Sequence, residues 1–109
     1  MTGTTINRGN VAVTIVCSLA LTPAAVGATT AAEQTFNVPG LQVGDQVSAI
    51  ELQAAWTSLT SIVGARVTAA NTLGISFANG TGGSLTPPAG TYLLEVNRPE
   101  TQPLPTNAS

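Results

Sequence analysis

The residues that usually carry out catalysis are scarce in this sequence. It contains no histidine, which excludes the systems in which a histidine activates a serine or a cysteine. Five carboxylates are scattered along the chain, and two pairs lie near each other in sequence: Asp45 with Glu51, and Glu95 with Glu100. Nothing in their spacing makes either pair converge, and single surface acids are the commoner case. We therefore expect no enzymatic activity.

Sites for metals and cofactors have equally little support. A single cysteine, Cys17, without any histidine does not assemble a zinc or transition-metal site, and it has no partner for an intrachain disulfide. The glycine-rich run at residues 79–83 lacks the lysine and the following helix of a phosphate loop, so we interpret it as a turn. Residues 79–81 and 107–109 match the glycosylation acceptor pattern, but no secretory signal supports them. The sequence predicts no metal and no cofactor.

Charge is unusually low for a soluble domain. Of the 109 residues, 43% are hydrophobic and 7% are charged, there is no lysine, and the net charge is −2; soluble domains have about 25% charged residues. The three arginines, Arg8, Arg66 and Arg98, are dispersed, whereas nucleic-acid binding needs clustered basic residues. We expect a surface partly covered by other protein. The alternative is a small all-β domain with a face rich in Thr, Ser and Asn.

Alternation of apolar and polar residues predicts a strand over residues 11–21. Its odd positions from Val11 to Leu21 are all apolar, and we expect that side to be core. The run also imitates a secretory leader, but a leader has no need of this alternation. The run is also too short to span a membrane, so we expect no membrane partner. Because the alternation indicates a strand, we expect no export signal.

The rest of the chain continues in the same pattern. We predict strands at residues 31–38, at a segment that includes Val47 and Ala49, and at 62–70, 72–79 and 91–98, with a short hairpin turn at 70–71. Residues 51–61 form one or two helical turns, or a loop over one end of the fold. Trp56 lies there, either capping the core or anchoring an interface.

These elements predict an all-β fold, an antiparallel β-sandwich or flattened barrel of about six strands. Residues 11–98 form this domain. Residues 1–10 form an extended N-terminal arm, and residues 99–109, with three prolines, form an extended C-terminal tail.

Several segments together carry a family resemblance. A first strand ends at Thr22-Pro23, the pattern E-Q-T-F-x-V-x-G-L-x-V-G-D covers residues 33–45, and G-A-R-V-x-A-A-N covers 64–71. The pattern F-x-N follows at 77–79, and T-P-x-A-G-T-Y at 86–92. In these segments the chain resembles small virion structural proteins of tailed bacteriophages, of the capsid decoration or cement type. The resemblance covers most of residues 11–98 and excludes both arms.

The resemblance implies a non-enzymatic protein on the capsid surface, made in the host cytoplasm, that bridges capsomers and stabilises the head. Its partners would be the major capsid protein and further copies of itself, as a homotrimer. One alternative is another phage component of the tail, head fibre or neck. The other is a pilin-like or adhesion module whose first strand completes a neighbour's sheet. The candidate interface residues are Thr4, Ile6, Arg8, Trp56, Arg98 and Leu104.

Overall fold

Six antiparallel strands in two sheets make up the domain. A computed structural model describes residues 11–100 of the chain. The first sheet has the order β1-β6-β3 and the second the order β2-β5-β4. This confirms the predicted all-β sandwich. The strands are β1 (Val11–Leu21), β2 (Thr30–Asn37), β3 (Gln46–Leu52), β4 (Thr60–Ala69), β5 (Thr72–Asn79) and β6 (Gly90–Pro99).

The core lies between the two central strands, β5 and β6. Alternate residues of each strand turn inward, as the period of a pleated strand requires. Six of these side chains are fully buried, and further apolar residues of the four outer strands pack around them. The six are Leu73, Ile75 and Phe77 of β5, with Tyr92, Leu94 and Val96 of β6.

The hairpin between β4 and β5 forms where the sequence predicted it. Asn71 adopts a left-handed backbone conformation with φ of 60°, which asparagine tolerates better than most residues. The side-chain Oδ1 of Asn71 accepts a hydrogen bond of 2.8 Å from the backbone N–H of Gly40. This turn therefore also fixes the loop that leads into β3.

The helical option for residues 51–61 is wrong. Strand β3 continues to Leu52, which is paired with Tyr92 of β6, and β4 already begins at Thr60. The backbone N–H of Gln53 donates to the carbonyl of Thr91 at 2.9 Å, so the ladder holds the chain extended beyond the strand's end. Residues 53–59 form an irregular loop, the second of the two predicted alternatives.

Register shifts move several residues away from their expected faces. A shift between Val47 and Ala49 places Ala49 opposite Glu95 on the outer face. Without the shift, alternation would place Ala49 on the same face as Val47. A shift also separates Val11 from Val13, which are 54% and 42% exposed. The prediction that all the odd positions of β1 form core is therefore wrong for Val11 and Val13. It holds best at the other end of the strand, where Leu21 is buried.

The two ends of the sandwich differ in what they carry. At one end, Val11 of β1 lies opposite Pro99 of β6, so both arms start side by side; we call this the arm end. The loop at residues 53–59 lies at the other end, which we call the Trp56 end. Residues 11–100 include no helix long and apolar enough to cross a membrane.

Candidate functional site

Trp56 packs against the core at the end of the sandwich that is named after it. Its indole N–H donates to the carbonyl of Thr60 at 2.5 Å. Its ring meets Tyr92 edge to face, with 6.4 Å between ring centroids and 85° between planes, a favourable aromatic geometry. Tyr92 is itself fixed, since its hydroxyl donates to the carbonyl of Pro88 at 2.6 Å, and burial raises the pKa of that phenol.

An apolar cleft opens beside Trp56, between the end of β3 and the start of β4. Its volume is about 300 Å³. Leu59, which lies on the loop that borders the cleft, is 78% exposed, and Val63 of β4 is 60% exposed. The cleft has the size and lining to accept apolar side chains of another molecule. Its walls include Ile50, Leu52, Ala54, Trp56, Thr60 and Ile62.

Arg98 is bound inside its own chain at the arm end. Its Nε and Nη2 donate to the two carboxylate oxygens of Asp45, each at 2.8 Å, and Nη2 also donates to the carbonyl of Gly40 at 2.8 Å. The side chain of Asp45 is only 1% exposed, and that of Arg98 is 24% exposed. The hydrogen bonds from Arg98 hold the pKa of Asp45 below its usual value. The pair closes the sandwich and leaves little of Arg98 for a partner.

A second ion pair crosses the outer face of the β2-β5-β4 sheet. Arg66 of β4 donates to both carboxylate oxygens of Glu33 of β2, at 2.8 and 3.0 Å. These bonds lower the pKa of Glu33. The pair passes over Gly74 of the central strand, where an added Cβ would lie 2.7 Å from a Glu33 oxygen. The added Cβ would also lie 2.7 Å from the Thr68 methyl group, so a side chain at position 74 would have to displace the ion pair or Thr68.

Asn79, in the first glycosylation-like sequence, is a structural residue. It is 1% exposed, and its amide donates to the carbonyls of Val26 and Gly83 at 3.0 and 2.8 Å. Its Oδ1 accepts from both the backbone and the hydroxyl of Thr81. The side chain organises the loop after β5 and is not accessible in the folded protein.

No group of three or more His, Cys, Asp or Glu residues within 11–100 is placed to hold a metal ion. Cys17 is half-buried, and burial raises the pKa of its thiol. A raised pKa reduces the fraction of reactive thiolate.

The structure describes two of the six predicted interface residues. Trp56 and Arg98 lie at opposite ends of the sandwich. The other four, Thr4, Ile6, Arg8 and Leu104, fall outside the described residues. The sequence reasoning missed Leu59 and Val63, and no signal distinguished them, because single apolar residues in loops and edge strands are common on protein surfaces.

Comparisons of the chain with protein-family models, with curated proteins and with solved structures found no match.

Proposed function

We propose that this protein is a non-enzymatic structural component of a phage virion, a decoration protein that binds the capsid surface and bridges neighbouring subunits of the major capsid protein. The observation that carries the proposal is a surface with few available charges and several exposed apolar side chains. The resemblance in the sequence supplies the viral context. The protein would be made in the host cytoplasm and act without a cofactor.

The described surface offers partners apolar contacts and few cations. Both arginines of residues 11–100 are committed to ion pairs with Glu33 and Asp45. This supports a protein partner over nucleic acid, which requires available basic groups. Six large apolar side chains are at least 42% exposed and can contribute to contacts with a partner. They are Val11, Val13, Val16, Val43, Leu59 and Val63.

The position of the arms supports a bridging role. Val11 and Pro99, from which the two arms continue, are neighbours, and we propose that both arms contact the same partner. Tethered contacts of this kind act at high effective concentration. We propose Thr4, Ile6, Arg8 and Leu104 as capsid contacts.

Self-association belongs to the same proposal. Trp56 and its cleft lie at the end of the sandwich opposite Val11 and Pro99 and are open to further copies, for which the resemblance implies a homotrimer. In the pilin-like alternative β1 would complete a neighbour's sheet; one side of β1 pairs with β6 of its own chain, so that contact would have to use its other edge.

Sedimentation with capsids tests the proposal. The purified protein is mixed with heads of its phage that lack it, and bound protein is quantified after pelleting. We expect saturable binding at hundreds of copies per head. Deleting residues 101–109 should weaken binding while leaving the melting temperature unchanged. Absence of binding to heads, or saturation at only a few to tens of copies, would contradict a decoration role; the latter result would indicate a tail, neck or fibre component.

A further inference from the structure

The four edge strands of the sandwich are not equally protected. An open edge is a template for pairing with another chain, and natural proteins commonly interrupt it with bulges, prolines or lysines. Strands β1, β3 and β4 each contain at least one register shift. Strand β2 pairs with β5 from Thr30 to Asn37 with none. It is the regular edge among the described strands.

The outer edge of β2 is open to other molecules. Six of its eight residues are exposed. Backbone hydrogen bonds to loop residues flank the strand: Thr29 donates to the carbonyl of Thr81, and Val38 donates to the carbonyl of Asn71. The strand sequence, TAAEQTFN, contains neither proline nor lysine and has small residues at Ala31 and Ala32.

The one charge of β2 is already neutralised. Glu33 accepts two hydrogen bonds from Arg66 of β4, at 2.8 and 3.0 Å. Like charges directly opposite each other destabilise a pair of strands. Because each copy carries its own arginine, two copies of β2 can approach without opposing uncompensated carboxylates. The outer face at this edge therefore carries no net charge that would repel a second copy.

Gln34 ties the preceding connector to β2 through its side chain. It lies opposite Ile75, a core residue, and therefore faces inward. Its side-chain amide exchanges two hydrogen bonds with the backbone of Ala24, at 2.7 and 2.8 Å. These bonds hold the connector against the inner face of β2 and stiffen the strand, which lowers the entropy lost when a partner pairs with it.

We propose that two copies of this chain pair antiparallel through β2, about a two-fold axis, into one six-stranded sheet with the order β4-β5-β2-β2-β5-β4. Backbone hydrogen bonds supply the recognition, as in other strand additions. A two-fold contact uses the same surface on both copies and closes at two. The pairing therefore specifies a dimer where the resemblance implies a trimer. It does not depend on capsid binding.

A matched pair of lysine substitutions tests the proposal. Ala31 of β2 and Ala20 of β1 are both exposed alanines on outer faces of edge strands. By light scattering and sedimentation velocity, we expect a wild-type dimer, and we expect Ala31→Lys to raise the dissociation constant at least tenfold by placing a cation at the paired edge. Ala20→Lys should leave the dimer unchanged. Melting curves establish that both variants fold.

A cysteine scan provides a second, independent measurement. In a Cys17→Ala background, single cysteines are placed in turn from Ala31 to Phe36 and oxidised. The residue on the two-fold axis faces its own copy, with Cβ atoms roughly 5 Å apart. A residue two positions away is displaced from its copy by about 14 Å. We therefore expect one position to cross-link strongly and those two residues away to fail.

Several outcomes would overturn the pairing. These are a monomer at high micromolar concentration, a trimer insensitive to Ala31→Lys, equal effects of the two lysines, or cross-linking without a single maximum. Dissociation on removal of residues 1–10 or 101–109, with Ala31→Lys without effect, would assign self-association to an arm. In each case capsid sedimentation of the same protein still tests the proposed function separately.

Discussion

Replacing Asp45 with Asn tests how much this nearly uncharged fold depends on one buried ion pair. The Asp45 carboxylate accepts two hydrogen bonds from Arg98 and one from the backbone N–H of Gln42, at 2.8 to 2.9 Å. Asparagine has the same shape but turns one of these acceptors into a donor. That NH₂ group would face N–H donors inside a side-chain site that is 1% exposed.

The expected loss is large for so small a change. Hydrogen bonds to charged groups contribute about 1.5–3 kcal/mol, and a buried donor without a partner adds a similar cost. Arg98 remains 24% exposed and can recover some hydration, which moderates the effect. We therefore expect a loss of about 2 kcal/mol in the free energy of unfolding, equivalent to roughly 8–16 °C in Tm for a domain of this size.

Acid should remove the same stabilisation from the wild-type protein. Arg98 holds the pKa of folded Asp45 below its usual value, which is about 3.9 in an unfolded chain. The contribution is therefore complete above about pH 4 and is lost as the pH falls through the folded value. The difference in stability between wild type and Asp45→Asn should shrink in that acidic range, measured by thermal melts at a series of pH values.

Glu33→Gln is the matched control. Glu33 and Arg66 also form a bidentate pair, but their side chains are 29% and 70% exposed. Exposed pairs contribute little because water competes for both partners. The loss of stability should be roughly a third or less of that for Asp45→Asn. Equal losses, or an Asp45→Asn effect that does not change between pH 7 and pH 3, would refute the argument from burial.

Three further substitutions examine other parts of the fold. Gly74→Ala should separate the ion pair above it, so that the pKa of the paired glutamate rises towards its ordinary value in an NMR titration; an unchanged pKa would contradict the steric argument. Ile15→Ala removes a half-buried side chain and should cost less in chemical denaturation than the about 2–5 kcal/mol of a fully buried isoleucine, but more than Val13→Ala, at a 42% exposed site. Tyr92→Phe removes the hydrogen bond to Pro88 and should cost about 1 kcal/mol in the free energy of unfolding; an unchanged stability would show that the bond does not stabilise the fold.

Local patterns in the sequence predicted the parts of the fold that depend on near neighbours. Strand β1 begins and ends where its alternation does, and β5 matches its predicted bounds. The hairpin at Asn71 follows from a residue that tolerates positive φ between two alternating segments. The fold class follows from these elements, because strands with one apolar face must stack in layers to bury it.

The features missed depend on residues far apart in the chain. Asp45 and Arg98 are 53 positions apart, and only the pairing of β3 with β6 brings them together. The register shift in β3 has no glycine or proline to mark it, so alternation alone does not place Ala49 on the outer face. The cleft beside Trp56 exists only once two sheets are stacked, and no single segment encodes it.

The adjacency of Val11 and Pro99 also determines how the domain responds to mechanical force. If the two arms are pulled apart, the load falls on the first pair of the β1–β6 ladder, and the strands unzip one pair at a time. If both arms are held by the same partner, they pull β1 and β6 in the same direction, and little force separates the strands. In the proposed decoration role, swelling of the head would then load the attachments of the protein without peeling the sheet, provided that both arms are anchored together.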